Sequence, residues 1–184
     1  MTAVDERRMT EIFENLDVPE GIKVELLRGE IVMMAAPSWV HNDIVEWVQA
    51  QIPIEKWQRK TTQAVAIPGE ESEPQPDLVV LEREAFQGPE ALIPSPDVSL
   101  VVEVVSKTSR DRDYGAKRSI YAAGRVPAYL IIDPFAAECL LLTAPVGAGY
   151  EAKYQAQRTT GFGEPVPLDV LGIELDTSRF RTLP

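Results

Sequence analysis

The chain has 184 residues, 45% of them hydrophobic and including three Trp, five Tyr and five Phe, which is apolar volume enough for one packed domain and too much for a disordered chain. A formal charge of −11 excludes a general polyanion binder, because nucleic-acid affinity rests on Lys and Arg neutralising phosphates, so any DNA contact must be local or metal-assisted. Residues 1–16 lack the apolar centre of a secretion signal and no apolar run approaches the roughly 20 residues of a membrane span, so the expectation is a cytoplasmic protein without membrane contact.

In chain order, residues 1–18 read as a short amphipathic helix with Met9, Ile12, Phe13 and Leu16 on one side. VELLRG and EIVMMA then alternate in hydropathy and make a β-hairpin turning near Gly29, flanked by Glu25 and Glu30. Acids at a hairpin are usually solvated, although one of these two could face a site. Residues 40–51 form a helix that buries Ile44, Val45 and Val48. His41, the one histidine, points inward at the start of that helix, either as a core-edge residue bonded to backbone or as a group holding water at a site.

Residues 61–67 alternate weakly as a strand, and 76–81, PDLVVL, form another with Asp77 at its start. Residues 82–95 read as a loop or short helix. Between positions 69 and 90 seven acids oppose Arg83 alone, a strongly negative and largely solvated edge.

The run 98–105 is short, β-branched and apolar, hence a fully buried strand, except that Glu103 stands in its middle. A carboxylate among valines requires a cation or donors, since desolvating it alone costs several kcal/mol. Residues 114–123 have helical spacing, with Ala116, Ile120 and Ala123 on one stripe, Lys117 beside it and Tyr121 one turn further on. Gly124 stops the helix, and 126–133 make a second buried strand. Strand, helix, strand in this order makes two parallel strands with the helix across their face. Residues 107–118 hold the chain's basic island, Lys107, Arg110, Arg112, Lys117 and Arg118 against Asp111 and Asp113. A closing meander takes in 138–143, 150–157 and 165–175, with the single cysteine, Cys139, as a core residue that allows neither an internal disulfide nor a thiolate metal site.

Asp77 and Glu103 can converge if their strands are neighbours, and two carboxylates suit a hard divalent cation such as Mg²⁺ or Mn²⁺. Asp97 cannot take that role, being six residues, roughly 20 Å, along the same strand as Glu103. The same-face position after Glu103 is Val105, and Lys107 is roughly 13 Å along the strand. Lys117 could instead swing back over Glu103, with Tyr121 to orient it. The alternative is structural: Asp77 as a turn residue, and Glu103 neutralised by Lys117 or Arg118.

With VELLRGEIVMMAAPS, QPDLVV, LVVEVVS, RDRDYGAK, IYAAGRVPAYLIIDP and VLGIEL in this order, the chain resembles the Uma-type endonucleases, long catalogued as a domain of unknown function within the PD-(D/E)xK superfamily. The resemblance covers roughly residues 22–175. It implies an α/β fold over the whole chain, 1–184, as one domain: a restriction-endonuclease-like core with a mixed central β-sheet flanked by helices, an N-terminal β-hairpin and a C-terminal strand extension. It also implies a metal-dependent phosphodiesterase in which Asp77 and Glu103 are the two acidic positions, with Val105 where the motif lysine would stand and Lys117 supplying that lysine from the next helix. The expected enzyme hydrolyses DNA with Mg²⁺ or Mn²⁺ on Asp77, Glu103 and the Val104 carbonyl, and with His41, Glu30 and Tyr121 in supporting positions. A rival expectation is a catalytically silent binding or assembly module, a homodimer through its terminal strands, and a third is a nuclease for RNA or branched DNA.

Overall fold

Successive side chains of the apolar segments point to opposite faces and build a six-stranded sheet with a separate core on each face. The computed structural model describes residues 3–88 and 92–184; the first two residues of the expected N-terminal helix, and 89–91 of the expected 82–95 loop, lie outside the described residues. Helix α1 (Ala3–Glu14) precedes the hairpin of β1 (Lys23–Leu27) and β2 (Glu30–Met34), followed by α2 (Trp39–Gln51). Next come β3 (Trp57–Lys60), β4 (Ala64–Ala66), β5 (Leu78–Glu82), β6 (Leu92–Pro94) and β7 (Val98–Val104). Two short helices, α3 (Arg110–Tyr114) and α4 (Ala116–Ala123), lead to β8 (Ala128–Asp133), β9 (Glu138–Val146) and β10 (Lys153–Gly161), and β11 (Val166–Leu168) and β12 (Ile173–Leu175) close the chain as a small hairpin.

The central sheet runs β10-β9-β8-β7-β5-β3. Only β7 and β8 pair in parallel, joined by the helical crossover, and the other pairs are antiparallel, so the sheet is mixed. Val80, Val102 and Leu130 face α2 and the C-terminal residues Leu175 and Phe180. Val79, Val101 and Ile131 face the other way, onto α4 and the β4–β6 pair. Cys139 is buried in the first of these cores.

The hairpin turns at Arg28 (φ 52°) and Gly29 (φ 78°), two positive-φ residues between Leu27 and Glu30, as a tight two-residue loop requires. Arg28 is held in this conformation by Ser72 Oγ, which accepts from its amide, and by Glu70, which its guanidinium reaches at 3.1 and 3.2 Å. Helix α1 ends at Glu14, short of the expected residue 18; Met9 and Phe13 on it and Leu16 after it are half-buried, but Ile12 is 44% exposed, so the apolar stripe is only partly covered.

The structure corrects the sequence reading at four places. Of the expected strand 61–67 only 64–66 is strand: this is β4, which pairs in parallel with β6, inside the stretch read as loop or helix, while β3, before it, ends at Lys60 and joins the central sheet. WQRK has no period-two pattern because β3 is an edge strand that buries Trp57 and leaves Lys60 exposed. The last long strand starts at Lys153, after a helical turn at Gly149–Glu151, and runs on to Gly161 because β9 pairs with it throughout. The helix expected over 114–123 is broken at Gly115.

That break is steric. A Cβ on residue 115 would lie 2.6 Å from the Asp111 carbonyl oxygen, so the chain passes there only as glycine, ending α3 and restarting as α4, which buries Lys117, Ile120 and Tyr121. Gly115→Ala should therefore cost about 1–3 kcal/mol. A chain of this size would show that as a fall of several degrees in thermal midpoint by circular dichroism, whereas an unchanged midpoint would mean that α4 has slack at its start.

Candidate active site

Local pairing decides which acids meet. Leu78 of β5 lies opposite Val102 of β7, and continuing this register by one residue sets Asp77 beside Glu103, on the same sheet face as Val79 and Val101. Helix α4 packs over that face and brings Lys117 and Tyr121, one turn apart, onto Glu103. From the hairpin, Lys23, Glu25 and Leu27 alternate on one side of β1 and close the site from above.

The Lys117 ammonium, 1% exposed, is the centre of the cluster. It lies 2.8 Å from Glu103 Oε1, 2.9 Å from Glu25 Oε1 and 3.7 Å from Asp113 Oδ1. Tyr121 donates its hydroxyl to the same Glu103 oxygen at 2.7 Å, and the Gln75 amide donates to Glu25 at 2.7 Å. Asp77 is gripped from another side: its Oδ2 takes the Val104 amide at 2.8 Å and His41 Nε2 at 2.9 Å, while Oδ1 has the longer contact with Lys23 at 3.4 Å. Ser38 caps α2 by accepting from the His41 amide, which aims the imidazole at the start of β5.

Asp77, Glu103, Val104, Lys117, His41 and Lys23 all line one cavity of about 980 Å³. Burial would raise the Asp77 pKa, but the Lys23 charge, His41 and the Val104 amide hold it well below the usual carboxylate range. Glu103 goes the other way. Burial, with Asp77 and Asp113 adding like charge, pushes it up to about 8 against the pull of Lys117 and Lys23. Burial would also depress Lys117, yet Glu103, Glu25 and Asp113 together hold its pKa above the ordinary lysine value. For His41, burial is outweighed by the hydrogen bond and charge of Asp77, so its pKa is raised above 6.5. Tyr121 is pushed well upward by burial and by Glu103, and stays a donor.

Of the residues singled out in the sequence, Asp77, Glu103, Lys117, Tyr121 and His41 come together, and Val104 lines the same cavity. His41 is bonded to a carboxylate rather than to backbone, and its Nδ1 is buried without a partner. Glu30 does not join them: it is exposed and outside the cavity wall, and of the two hairpin acids Glu25 is the one turned inward, 0% exposed. Lys107 lines the cavity rim from the loop after β7. The sequence reading did not single out Lys23, and it named Asp113 only as part of the basic island. The period-two alternation from Lys23 to Leu27, which puts a lysine and a glutamate on the face that also buries a leucine, was the available sign for the first.

The donor set fits a hard divalent cation. Four carboxyl groups, Glu25, Asp77, Glu103 and Asp113, meet two ammonium groups, Lys23 and Lys117, so acids outnumber basic groups even when the His41 imidazole is counted. Glu25 Oε2 and both Asp113 oxygens are buried without a hydrogen bond. Both donors reaching Glu103 act on Oε1, and the charge that burial opposes there would be favoured by a nearby cation. Among the described residues no three His, Cys, Asp or Glu form a ready cage.

The family described as "Uma2: Putative restriction endonuclease" matches residues 10–178. Among solved structures the chain is similar to a crystal structure of "a putative nuclease belonging to DUF820" from Anabaena variabilis, at 12% identity and a TM-score of 0.68, over 93% of this chain and 96% of the other. At that identity the likeness is one of fold. No curated protein matches the chain.

Lys117→Met takes the shared ammonium from three buried acids and should destabilise the fold by about 3–5 kcal/mol near neutral pH. The Glu103 pKa, about 8 with Lys117 beside it, rises further without that cation, so wild type releases the Glu103 proton before the variant does and the variant's additional loss of stability sets in as pH rises through about 8. Urea melts should show the gap to wild type widening from about pH 7 to about pH 9. A gap that is constant or narrows over that range would mean that Lys117 does not favour the charged form of Glu103.

Proposed function

The chain belongs to the Uma2 family of restriction-endonuclease-like proteins, and from that premise we propose that it is a nuclease that hydrolyses DNA phosphodiester bonds with Mg²⁺ or Mn²⁺. The observation that carries the reading is the convergence of Asp77 and Glu103, on paired strands, in a cavity that also holds Lys23 and Lys117.

Asp77, Glu103 and the Val104 carbonyl are the groups to hold the ion, which when bound would supply acidified water and charge neutralisation at phosphate. The chain's own residues prepare the site around it. Asp77, kept ionised by Lys23, His41 and the Val104 amide, is a fixed negative charge at pH 7. Tyr121 and Lys117 hold the Glu103 carboxylate in one orientation through Oε1. Lys117 is enclosed by acids, so its part is to keep the cluster assembled and its field pointed at the cavity. Lys23, the more open of the two, with its side chain 20% exposed and its nearest carboxylate contacts at 3.4 and 3.8 Å, is the ammonium placed to meet a phosphate oxygen. His41, raised in pKa and bonded to Asp77, is a proton donor within the same wall.

A second reading rests on two observations, Val105 at the position of the motif lysine and the nine-residue edge strand β10, largely exposed along its length. It makes the protein a catalytically silent module that assembles as a homodimer. Calorimetric titration separates the two: heat of Mn²⁺ binding at millimolar concentration, lost in Asp77→Ala, belongs to the nuclease alone. Location in the cytoplasm is part of the first proposal; among the described residues no helix is long and apolar enough to cross a membrane.

Supercoiled plasmid incubated with the protein and Mg²⁺ or Mn²⁺ should be nicked, and the Asp77→Ala, Glu103→Ala double variant should lose at least about 100-fold in rate. Equal cleavage by both proteins would remove this mechanism.

A further inference from the structure

The cavity's shape and lining bear on which form of nucleic acid enters it. Its reacting groups are sunken: Glu103 is 2% and Lys117 1% exposed. At about 980 Å³ it is at the upper end of the range, roughly 300–1,000 Å³, that suits small ligands. A duplex is stiff and holds each phosphate to the path of the helix, whereas an unpaired strand can be bent and splayed so that one phosphate is lowered into such a space.

The lining is mixed in character. The loop Ser106–Ser109 carries Lys107, and Lys23 adds another ammonium. Ile22, the adjoining Met34–Pro37 segment and Leu183 supply apolar surface. Trp39 follows the cavity-lining Ser38 in the chain and is 63% exposed, an unusual state for the largest apolar side chain. It shares its helix face with Asn42 and Glu46, three and seven residues on, both in the cavity wall. The Arg181 guanidinium lies over its ring at 5.0 Å from the centroid, two residues before Leu183. A flat aromatic surface backed by a guanidinium stacks a base on its open side and sets a positive charge near the phosphate that follows.

Charge points the same way. Duplex binding depends on neutralising many phosphates at once, and a chain of net charge −11 with Glu46 on the cavity wall has few cations to offer. Stacking does not depend on net charge.

We propose that the site takes an unpaired DNA strand, with phosphates along Lys107 and Lys23 and a base stacked on Trp39 at the entrance, so that the substrate is single-stranded DNA or the unpaired arm of a branched molecule. The proposal rests on the nuclease reading for what happens to the strand, but not for its binding. The test therefore measures binding in Ca²⁺, using fluorescence anisotropy of a labelled oligothymidine of about ten nucleotides, the same length in duplex form, and the matching ribo-oligonucleotide. The single DNA strand should bind at least tenfold more tightly than the duplex. Trp39→Ala should weaken it about tenfold and Trp39→Phe should restore it to within about threefold, with unchanged circular dichroism in both. Duplex binding as tight as single-strand binding, tighter binding of the ribo-oligonucleotide, or a Trp39→Ala affinity equal to wild type would each overturn the proposal. If plasmid cleavage fails while this pattern holds, the nuclease reading falls and the strand site stands; if cleavage is found and this pattern is absent, the reverse is true.

Discussion

The structure depends on one ammonium group held in the dark. Lys117, essentially without solvent, ties together acids from three separate elements, the hairpin strand β1, the buried strand β7 and the helix α3. None of those acids is tolerable there alone, since each would cost several kcal/mol to desolvate. One of the three, Glu103, also lines the cavity beside Asp77, so stability and chemistry are coupled at this point.

Around that contact the chain places its groups on rigid elements. Asp77 and Glu103 come from paired strands, whose register leaves them no freedom to separate, and Tyr121 comes from the same helix as Lys117. His41 comes from a capped helix start, and Lys23 from the strand that also carries Glu25. The environments then separate the two principal acids, Asp77 downward by cations and an amide, Glu103 upward by burial. Two acids of one type held in different states in one cavity are characteristic of reactive sites.

The periphery has a different logic. The hairpin is pinned by Arg28, which bonds Glu70 and the Gly149 carbonyl and lies over the Tyr150 ring at 4.0 Å. The C-terminal segment is fastened to α2, with Phe180 in the core, Arg179 over Trp47 and Arg181 over Trp39. These fastenings bring β1 over the site and Leu183 to its rim. Segments far apart in sequence therefore form the entrance, while the middle of the chain forms the floor.

What the residues determined on their own was local and periodic. Val98 to Val104 and Ala128 to Asp133 are strands because short β-branched apolar runs have no other stable place, and the parallel pairing follows from the crossover between them. Glu103 announced its need for a cation by standing among valines, and Lys117 and Tyr121 were within one helix of it. What only tertiary structure decided was non-local. Glu25, not Glu30, enters the site although the pairing of Leu27 with Glu30 sets both acids on one face of the hairpin: Glu30 stands at the turn, where it stays exposed, and Glu25 stands in mid-strand, where the docked hairpin is covered. The division of 57–66 between two sheets, the break at Gly115 and the meeting of Lys23 with Asp77 each depend on a partner dozens of residues away or on a steric contact that no window of sequence contains. A chain's own periodicity says which side of an element is apolar, and only packing says what that side will meet.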